Sequence, residues 1–478
     1  MMAARRPCKA ASAARAAALL IAALAAAGCA VGPAYERPAA NLPAVYTEPV
    51  DPGAAAATLH ADWWKLYNDP QIDDLVAATL ANNSDLRLAA AQVEEAEAVA
   101  RETGAAFFPE FDLNGVSNRT AVTTAAAVPS PAGVSTVRNN HRFTLGTSFE
   151  LDFWGKLRNA SESARARLLA TRYARDVVTL TLSSTTAQAY FTLRSLDAQI
   201  AVTRASIASR DTSTGIVRQR VQAGYASDLD LAQFTIALST ARAQLRDLQR
   251  QRALVEHQIG TLTGKPDIRL SPIDTLELPT PAVPPPGLPS SLVERRPDIR
   301  SAEQNLMSAN ALIGVARAAQ LPTFSLTGFL GGESESLSNI LLNPARIWSV
   351  GLGVLFPVFD SGRYAARTAQ AEARQRQALA SYQKSVETAF RDVGDALANV
   401  RQSVATEEDL RTAVAASRDA VRIGRARYGA GYSGYLDVLD AERSLNDAEL
   451  ALVRNRQAQL SYTVDLIKAV GGGWTPAS

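Results

Sequence analysis

The sequence predicts a mixed α+β membrane protein. A few β-strands belong in a lipid-embedded barrel, long α-helices continue it as a coiled coil, and the whole pattern occurs twice. Three observations predict this. Matching residues stand at a constant offset: Gly155 and Gly362, Gly224 and Gly431, Leu229 and Leu436, and Asp230 and Asp437 are each 207 residues apart. Each copy holds a proline-free helical stretch of about 65 residues, roughly 95–100 Å at 1.5 Å per residue. Each copy also holds two short segments that alternate apolar and polar residues with the period of a strand.

The repeat comes first because it sets the architecture. The first long hairpin runs from about Gly155 to Gly260 and the second from about Gly362 to Val470. Each has a polar break, Gln222–Asp228 and Tyr428–Gly434. A helix beyond about 25 residues points to coiled-coil packing. Leu379, Tyr382, Val386, Ala389, Val393, Ala396 and Val400 keep the alternating spacing of three and four that such packing needs.

At the start, Arg5, Arg6, Lys9 and Arg15 precede an apolar run over Ala16–Ala27, and small residues precede Cys29. This reads as a secretory signal, removed before Cys29. The new N-terminal thiol is then the site for an S-diacylglycerol and N-acyl lipid. Ordinary cleavage leaving a free cysteine is the alternative. Losing residues 1–28 changes the formal charge from +2 to −2, with no basic stripe, so nucleic acid is not a partner. Cys29 is the only cysteine left, which excludes an internal disulfide. His60, His141 and His257 are scattered, so no metal is expected. Residues 31–59 are rich in Pro, Ala and Gly and read as an extended segment. Trp63 and Trp64 open the ordered body. They pack on a helix surface or anchor at a membrane interface.

Helix one covers about Gln71–Thr103, with a break expected at Asn82–Ser84, and Pro109 ends it. Phe111, Leu113 and Val116 lead a strand, 117–141 reads as a loop, and Phe143, Leu145, Phe149, Leu151 and Phe153 form a second strand closed by Trp154. Long helices over about Leu157–Val221 and Leu229–Leu262 follow. The return helix is about half as long, and helix one stacked end to end with it makes up the length. A Pro-rich connector leads to a helix from Pro297 to about Ala319. In the second copy Phe324, Leu326 and Leu330 lead a strand, Gly331–Ser336 opens a loop, and Trp348 to Phe356 form the fourth strand. Helices over about Arg363–Arg427 and Leu436–Ala469 complete it.

Strands of 8–12 residues with one apolar face fit a tilted membrane crossing, but four cannot close a barrel. Open edges in hydrocarbon leave backbone groups unpaired, at several kcal/mol each. Copies of the chain must therefore complete it, and three copies give twelve strands. An ordinary sheet packed on helices is the soluble alternative.

The candidate functional residues lie at the two breaks. Asp437 and Asp440 are three apart, share a helix face and sit near the helix start, where negative charge is favoured. Turned inward in several copies, they make a cation-attracting mouth. Helix capping is the plain alternative, and Asp228 and Asp230 at the first break weaken a special claim for one pair. No nucleophile–base arrangement or nucleotide loop is present, so no enzyme is expected.

The pieces Cys29–Pro38, Trp63–Pro70, Phe153–Lys156, Gly224–Asp230, Arg295–Ile299, Leu321–Pro322, Pro357–Gly362 and Gly431–Asp440 occur in an order and spacing that resembles the outer-membrane factor family, the TolC- and OprM-like efflux channels, and within it the lipoproteins of NodT type. The resemblance covers essentially all of 29–473. It implies a homotrimer with a twelve-stranded barrel in the outer membrane and a helical tunnel in the periplasm. The tunnel takes drugs or other small solutes from a periplasmic adaptor and an inner-membrane pump of the proton-driven RND class. The family also implies roles. Asp437, Asp440, Leu436 and Tyr428 match the periplasmic gate, and Ser433 replaces a tip arginine of some members. The tip turns, Gly224, Tyr225, Ser227 and Asp228 with Gly431, Tyr432 and Ser433, are the expected adaptor contacts. No cofactor is implied beyond the lipid on Cys29. A protein-secretion conduit and a lipid-anchored scaffold without a pore are the competing functions. The expected division is a signal peptide at 1–28, an anchored segment at 29–69, a first efflux repeat at 70–262, a connector at 263–296, a second repeat at 297–470 and a tail at 471–478.

Overall fold

The computed structural model describes residues 31–39, 59–123, 135–272 and 292–473, with Pro43, Val45, Tyr46, Glu48, Pro279 and Val283. Cys29, the signal segment, most of the anchored segment and connector, and the tail after Gly473 lie outside the described residues. Among the described residues no helix is long and apolar enough to cross a membrane.

The helices are α1 (Pro70–Asn82), α2 (Ser84–Ala105), α3 (Lys156–Gln222), α4 (Asp228–Thr263), α5 (Pro297–Ala318), α6 (Arg363–Gly429) and α7 (Tyr435–Ala469); a single turn, Leu292–Arg295, precedes α5. The strands are β1 (Glu110–Ala121), β2 (Val137–Leu151), β3 (Thr323–Ser334) and β4 (Arg346–Leu355). Helices α3 and α6 have 67 residues each and no internal proline. Each starts from a carboxylate that accepts two backbone N–H groups: Asp152 takes those of Leu157 and Arg158, and Asp360 those of Gly362 and Tyr364. These bonds satisfy donors that a helix start leaves open.

Two compact units result. Val93–Ala170 and Ala302–Tyr382 form the first, with the chain up to Pro38. Its sheet is antiparallel in the order β1-β2-β3-β4, leaving β1 and β4 as edges. The register places Leu113, Leu145, Leu330 and Trp348 in one row, and Leu326, Phe149 and Leu352 in another, on the same face. The apolar positions of β2 on that face run from Phe143 to Leu151, a span of about 26 Å along the strand at 3.3 Å per residue. The exposed hydrophobics include Leu113, Leu145, Trp348 and Val350. Glycine and small polar residues dominate the middle of the other face.

Four expectations need correction. The loop expected at 117–141 is shorter, because β1 continues to Ala121 and pairs with β2 from Val137. Val116 lies on the polar face, one residue out of phase with Phe111 and Leu113. Gly331 and Gly332 do not open a loop. They pair with Thr144 and Phe143 inside the sheet, where a Cβ on Gly331 would stand 2.0 Å from the Phe143 carbonyl oxygen. Finally, β2 stops at Leu151, and Trp154 instead donates its indole N–H to the Pro322 carbonyl at 2.7 Å.

The segment after Val31 lies along α5. Asn310 donates to the Pro33 carbonyl at 2.9 Å, and Arg37 pairs with buried Glu303 at 2.9 Å. Extended structure was expected here.

The second unit holds Ala39–Gln92, Thr171–Ser301 and the chain from Gln383 on. Its core joins Trp63, Tyr67, Tyr190, Phe191, Leu460, Val464 and Ile467, so the paired tryptophans begin a packed body. Helix one breaks at Asn83, whose side chain donates to the Leu262 carbonyl at the end of α4 at 3.0 Å. The return helix therefore ends where α2 starts, as the length mismatch required. Tyr382 to Val400 are buried at the expected spacing, and Leu379 is half-buried. The described part of the connector is fastened by a buried charge network. Asp197 accepts from Arg194 and Arg252, Arg252 reaches the Leu270 carbonyl at 2.6 Å, and Arg194 reaches the Ser271 carbonyl at 3.1 Å.

Candidate functional site: the paired hairpin tips

The two tips are built alike. Gly224 and Gly431 both take φ of 78°, in the left-handed region that glycine enters without strain. This allows Tyr225 N–H to reach the Arg220 carbonyl at 2.8 Å and Tyr432 N–H to reach the Arg427 carbonyl at 2.9 Å. Both are the wide bond that closes a helix at its C-terminus. The phenol rings of Tyr225 and Tyr432 are then left 83% and 80% exposed.

The tips differ in how the next helix begins. Ser227 caps α4 reciprocally with Asp230: its hydroxyl accepts from Asp230 N–H at 3.2 Å, and the Asp230 carboxylate accepts from Ser227 N–H at 3.1 Å. Gly434 starts α7 with no side-chain cap. Capping is thus the work of Ser227 and Asp230 at the first tip, and not of Asp437 and Asp440 at the second. Asp437 is exposed in the first turn of α7, beside exposed Leu436. Asp440 is exposed and pairs with Arg443 at 2.7 Å. Ser433 holds a buried hydroxyl without a hydrogen-bond partner.

Tyr428 belongs to a column of rings that crosses from one hairpin to the other. Its ring meets Tyr435 edge-on at 4.8 Å, and Tyr435 lies 4.0 Å from Phe234 of α4. Arg220 of α3 sits over the Tyr428 ring at 5.1 Å and donates to its hydroxyl. Burial pushes the Tyr435 phenol up to about 12. Two turns further along, Glu442 of α7 is 6% exposed and accepts from Arg425 of α6 at 2.7 Å and from Ser209 of α3 at 3.3 Å. Its second oxygen has no partner, and the residue lines a cavity of about 160 Å³ with Ser206 and Asn446.

Of these residues, the repeat and the family resemblance point to Tyr428, Leu436, Asp437 and Asp440. Arg220, Phe234, Tyr435, Arg425 and Glu442 are found only in the structure. One sequence signal does mark the rings. At the 207-residue offset Tyr428 faces Val221, Tyr435 faces Asp228 and Phe234 faces Ala441. Each ring therefore occurs in one copy only, as a contact between unlike hairpins requires.

A four-stranded sheet with one exposed apolar face and long paired hairpins define a subunit of an outer-membrane channel with a periplasmic helical tunnel. The chain belongs to the outer membrane efflux protein family, whose model matches residues 75–265 and 288–472. It is 32% identical over 459 residues to the toluene efflux pump outer membrane protein TtgC of Pseudomonas putida, covering 94% of this chain and 93% of that one. It is 33% identical over 461 residues to the cation efflux system protein CusC of Escherichia coli, covering 95% and 97%. The solved CmeC outer membrane channel of Campylobacter jejuni superposes with a TM-score of 0.86 at 25% identity, over 94% of this chain and 96% of that one. The protein is an efflux channel and not an enzyme.

Proposed function

We propose that three copies of this chain close a twelve-stranded barrel and a helical tunnel, and that the tunnel passes small solutes outward from an inner-membrane pump through a periplasmic adaptor. The observation that carries this is the open sheet: four strands, an exposed apolar face, and unpaired edges at β1 and β4. Hydrocarbon does not tolerate such edges, and joining β4 of one copy to β1 of the next removes them. Asp437, Asp440 and Leu436 line the periplasmic aperture. Tyr428 holds the second hairpin against the first. The turns at Gly224–Asp228 and Gly431–Ser433 meet the adaptor. The efflux repeats at 70–262 and 297–470 are the two structural halves of each subunit.

Cys29 carries the lipid. Val31 N–H donates to the Trp154 carbonyl at 3.2 Å, just past the end of β2. Relatives named for toluene and for cations share this architecture, so the pump rather than the tunnel chooses the cargo. The pump is of the proton-driven RND class that the family resemblance implies.

Purification from native membranes tests the assembly. An adaptor and an inner-membrane pump should copurify, and intact mass should show a triacylated Cys29. Copurification with a protein-secretion apparatus would overturn the efflux assignment, and an unmodified Cys29 would overturn the anchor.

A further inference from the structure

Across β2, β3 and β4 the middle of the polar face is nearly bare, while its β1 side carries Glu110, Asp112 and Asn114. Gly146, Ser325, Thr327, Gly351 and Gly353 occupy that middle, and none carries a large side chain. Toward the end of the sheet that bears the β1–β2 and β3–β4 loops, the surface changes. Arg142 of β2 stands opposite Glu333 of β3, with Nη1 3.9 Å from the carboxylate. The Arg142 guanidinium carbon lies 4.9 Å from the ring centroid of Phe329. Asn140 donates to the other Glu333 oxygen at 2.8 Å. The two charged side chains are 41% and 36% exposed, so both act on the space in front of the sheet as well as on each other.

The placement of Phe329 is unusual. It is the large aromatic among small neighbours on this face, and its register partners are Gly146 and Ser349. A guanidinium over an aromatic face is attracted by the ring quadrupole. Phe329 therefore seats the Arg142 arm against the wall, where an unsupported arginine would sweep the lumen.

We propose that Arg142 and Glu333, with Phe329 seating the arginine, form the charge-selective collar of the barrel. The inference rests on the trimeric conduit, because only closure brings three guanidiniums and three carboxylates into one ring. Twelve strands about 4.8 Å apart and tilted about 40° enclose a backbone radius of roughly 12 Å. The collar projects inward from that radius. An ion on the axis then lies within about one Debye length of it, ~10 Å at 0.1 M salt, and outside its reach at 1 M, where the length is ~3 Å. The two signs balance in the parent. Removing either one leaves a ring of the other, in the manner of charged rings that select ions in other pores.

The test is a reversal potential in planar bilayers under an approximately tenfold KCl gradient at low salt, using the full-length trimer. Asp437→Ala/Asp440→Ala serves as the parent so that the tip does not dominate. R142Q should raise the potassium-to-chloride permeability ratio at least about twofold. E333Q should lower it by a similar factor, R142K should keep the parent ratio, and all differences should collapse near 1 M salt. Current through each variant shows in the same trace that it assembled. Ratios that do not move, or that move in the same direction for R142Q and E333Q, would overturn the collar while leaving the conduit intact. A parent that carries no current would overturn both.

Discussion

Arg220 and Tyr428 are joined twice: the guanidinium donates to the phenol oxygen and also lies over the ring at 5.1 Å. The two residues belong to different hairpins, so this joint is made only when the tips stand together. Phe234 on Tyr435 and Ser209 on Glu442 make the same kind of crossing.

Loosening that joint should open the channel. A cation–π contact at an exposed site is worth about 0.5–1 kcal/mol, and the hydrogen bond adds a similar amount. Together these are about 1–2 kcal/mol, so Arg220→Ala or Tyr428→Ala should raise the open population roughly 5–30-fold, seen as higher macroscopic conductance or dye leak. Tyr428→Phe keeps the ring contact and should fall between. Equal leak in all three would mean that the joint does not hold the tips.

The ion pair below it should be asymmetric. Glu442 is 6% exposed and Arg425 is 52% exposed. Arg425→Ala strands a buried carboxylate and should cost roughly 2–4 kcal/mol, whereas Glu442→Gln returns the arginine to water and should cost about 1 kcal/mol. Thermal unfolding in detergent checks the order. A larger loss for Glu442→Gln would contradict it.

The tip should loosen in alkali. Burial holds the Tyr435 phenol at about 12, against about 10 in an unfolded chain. The folded value is raised, so the contribution to stability is complete below pH 10 and is lost as pH rises through about 12. Tyrosinate absorbance should show one late-titrating phenol disappear in Tyr435→Phe, and the rise in conductance over that window should shrink. A Tyr435 that titrates near 10 would remove the basis for this expectation.

The glycines of the sheet should not be equivalent. A Cβ on Gly331 would meet the Phe143 carbonyl oxygen at 2.0 Å, whereas on Gly146 the nearest atom is the Asp112 carbonyl oxygen at 3.8 Å. Gly331→Val should abolish the assembled, membrane-inserted form. Gly146→Ala should leave it intact on a non-denaturing gel.

Most of the fold was legible because its signals are long. A 207-residue offset, helices without proline and a heptad seam from Tyr382 to Val400 do not depend on any single residue. Strand ends were less legible. Glycine is scarce in strands, so Gly331–Gly332 reads as a loop until the close approach of β2 explains it. Thr120 and Arg138 carry no apolar signal, and only their pairing shows that the ladder continues there. The site was half legible. Asp437, Asp440 and Tyr428 stood out from the tip and the resemblance. Arg220 and Phe234 did not, because each acts through a partner on the other hairpin, and Glu442 did not, because its partners, Arg425 of α6 and Ser209 of α3, lie on other helices; periodicity along one helix carries no record of such partners.

Everything returns to the unpaired edges of β1 and β4. The most direct measurement counts subunits and current together: full-length protein, crosslinked in detergent and then reconstituted into a planar bilayer. The account predicts a trimer that conducts weakly, with Asp437→Ala/Asp440→Ala conducting several-fold more. A folded, membrane-inserted single subunit, or a trimer that passes no current even with both aspartates replaced, would contradict it.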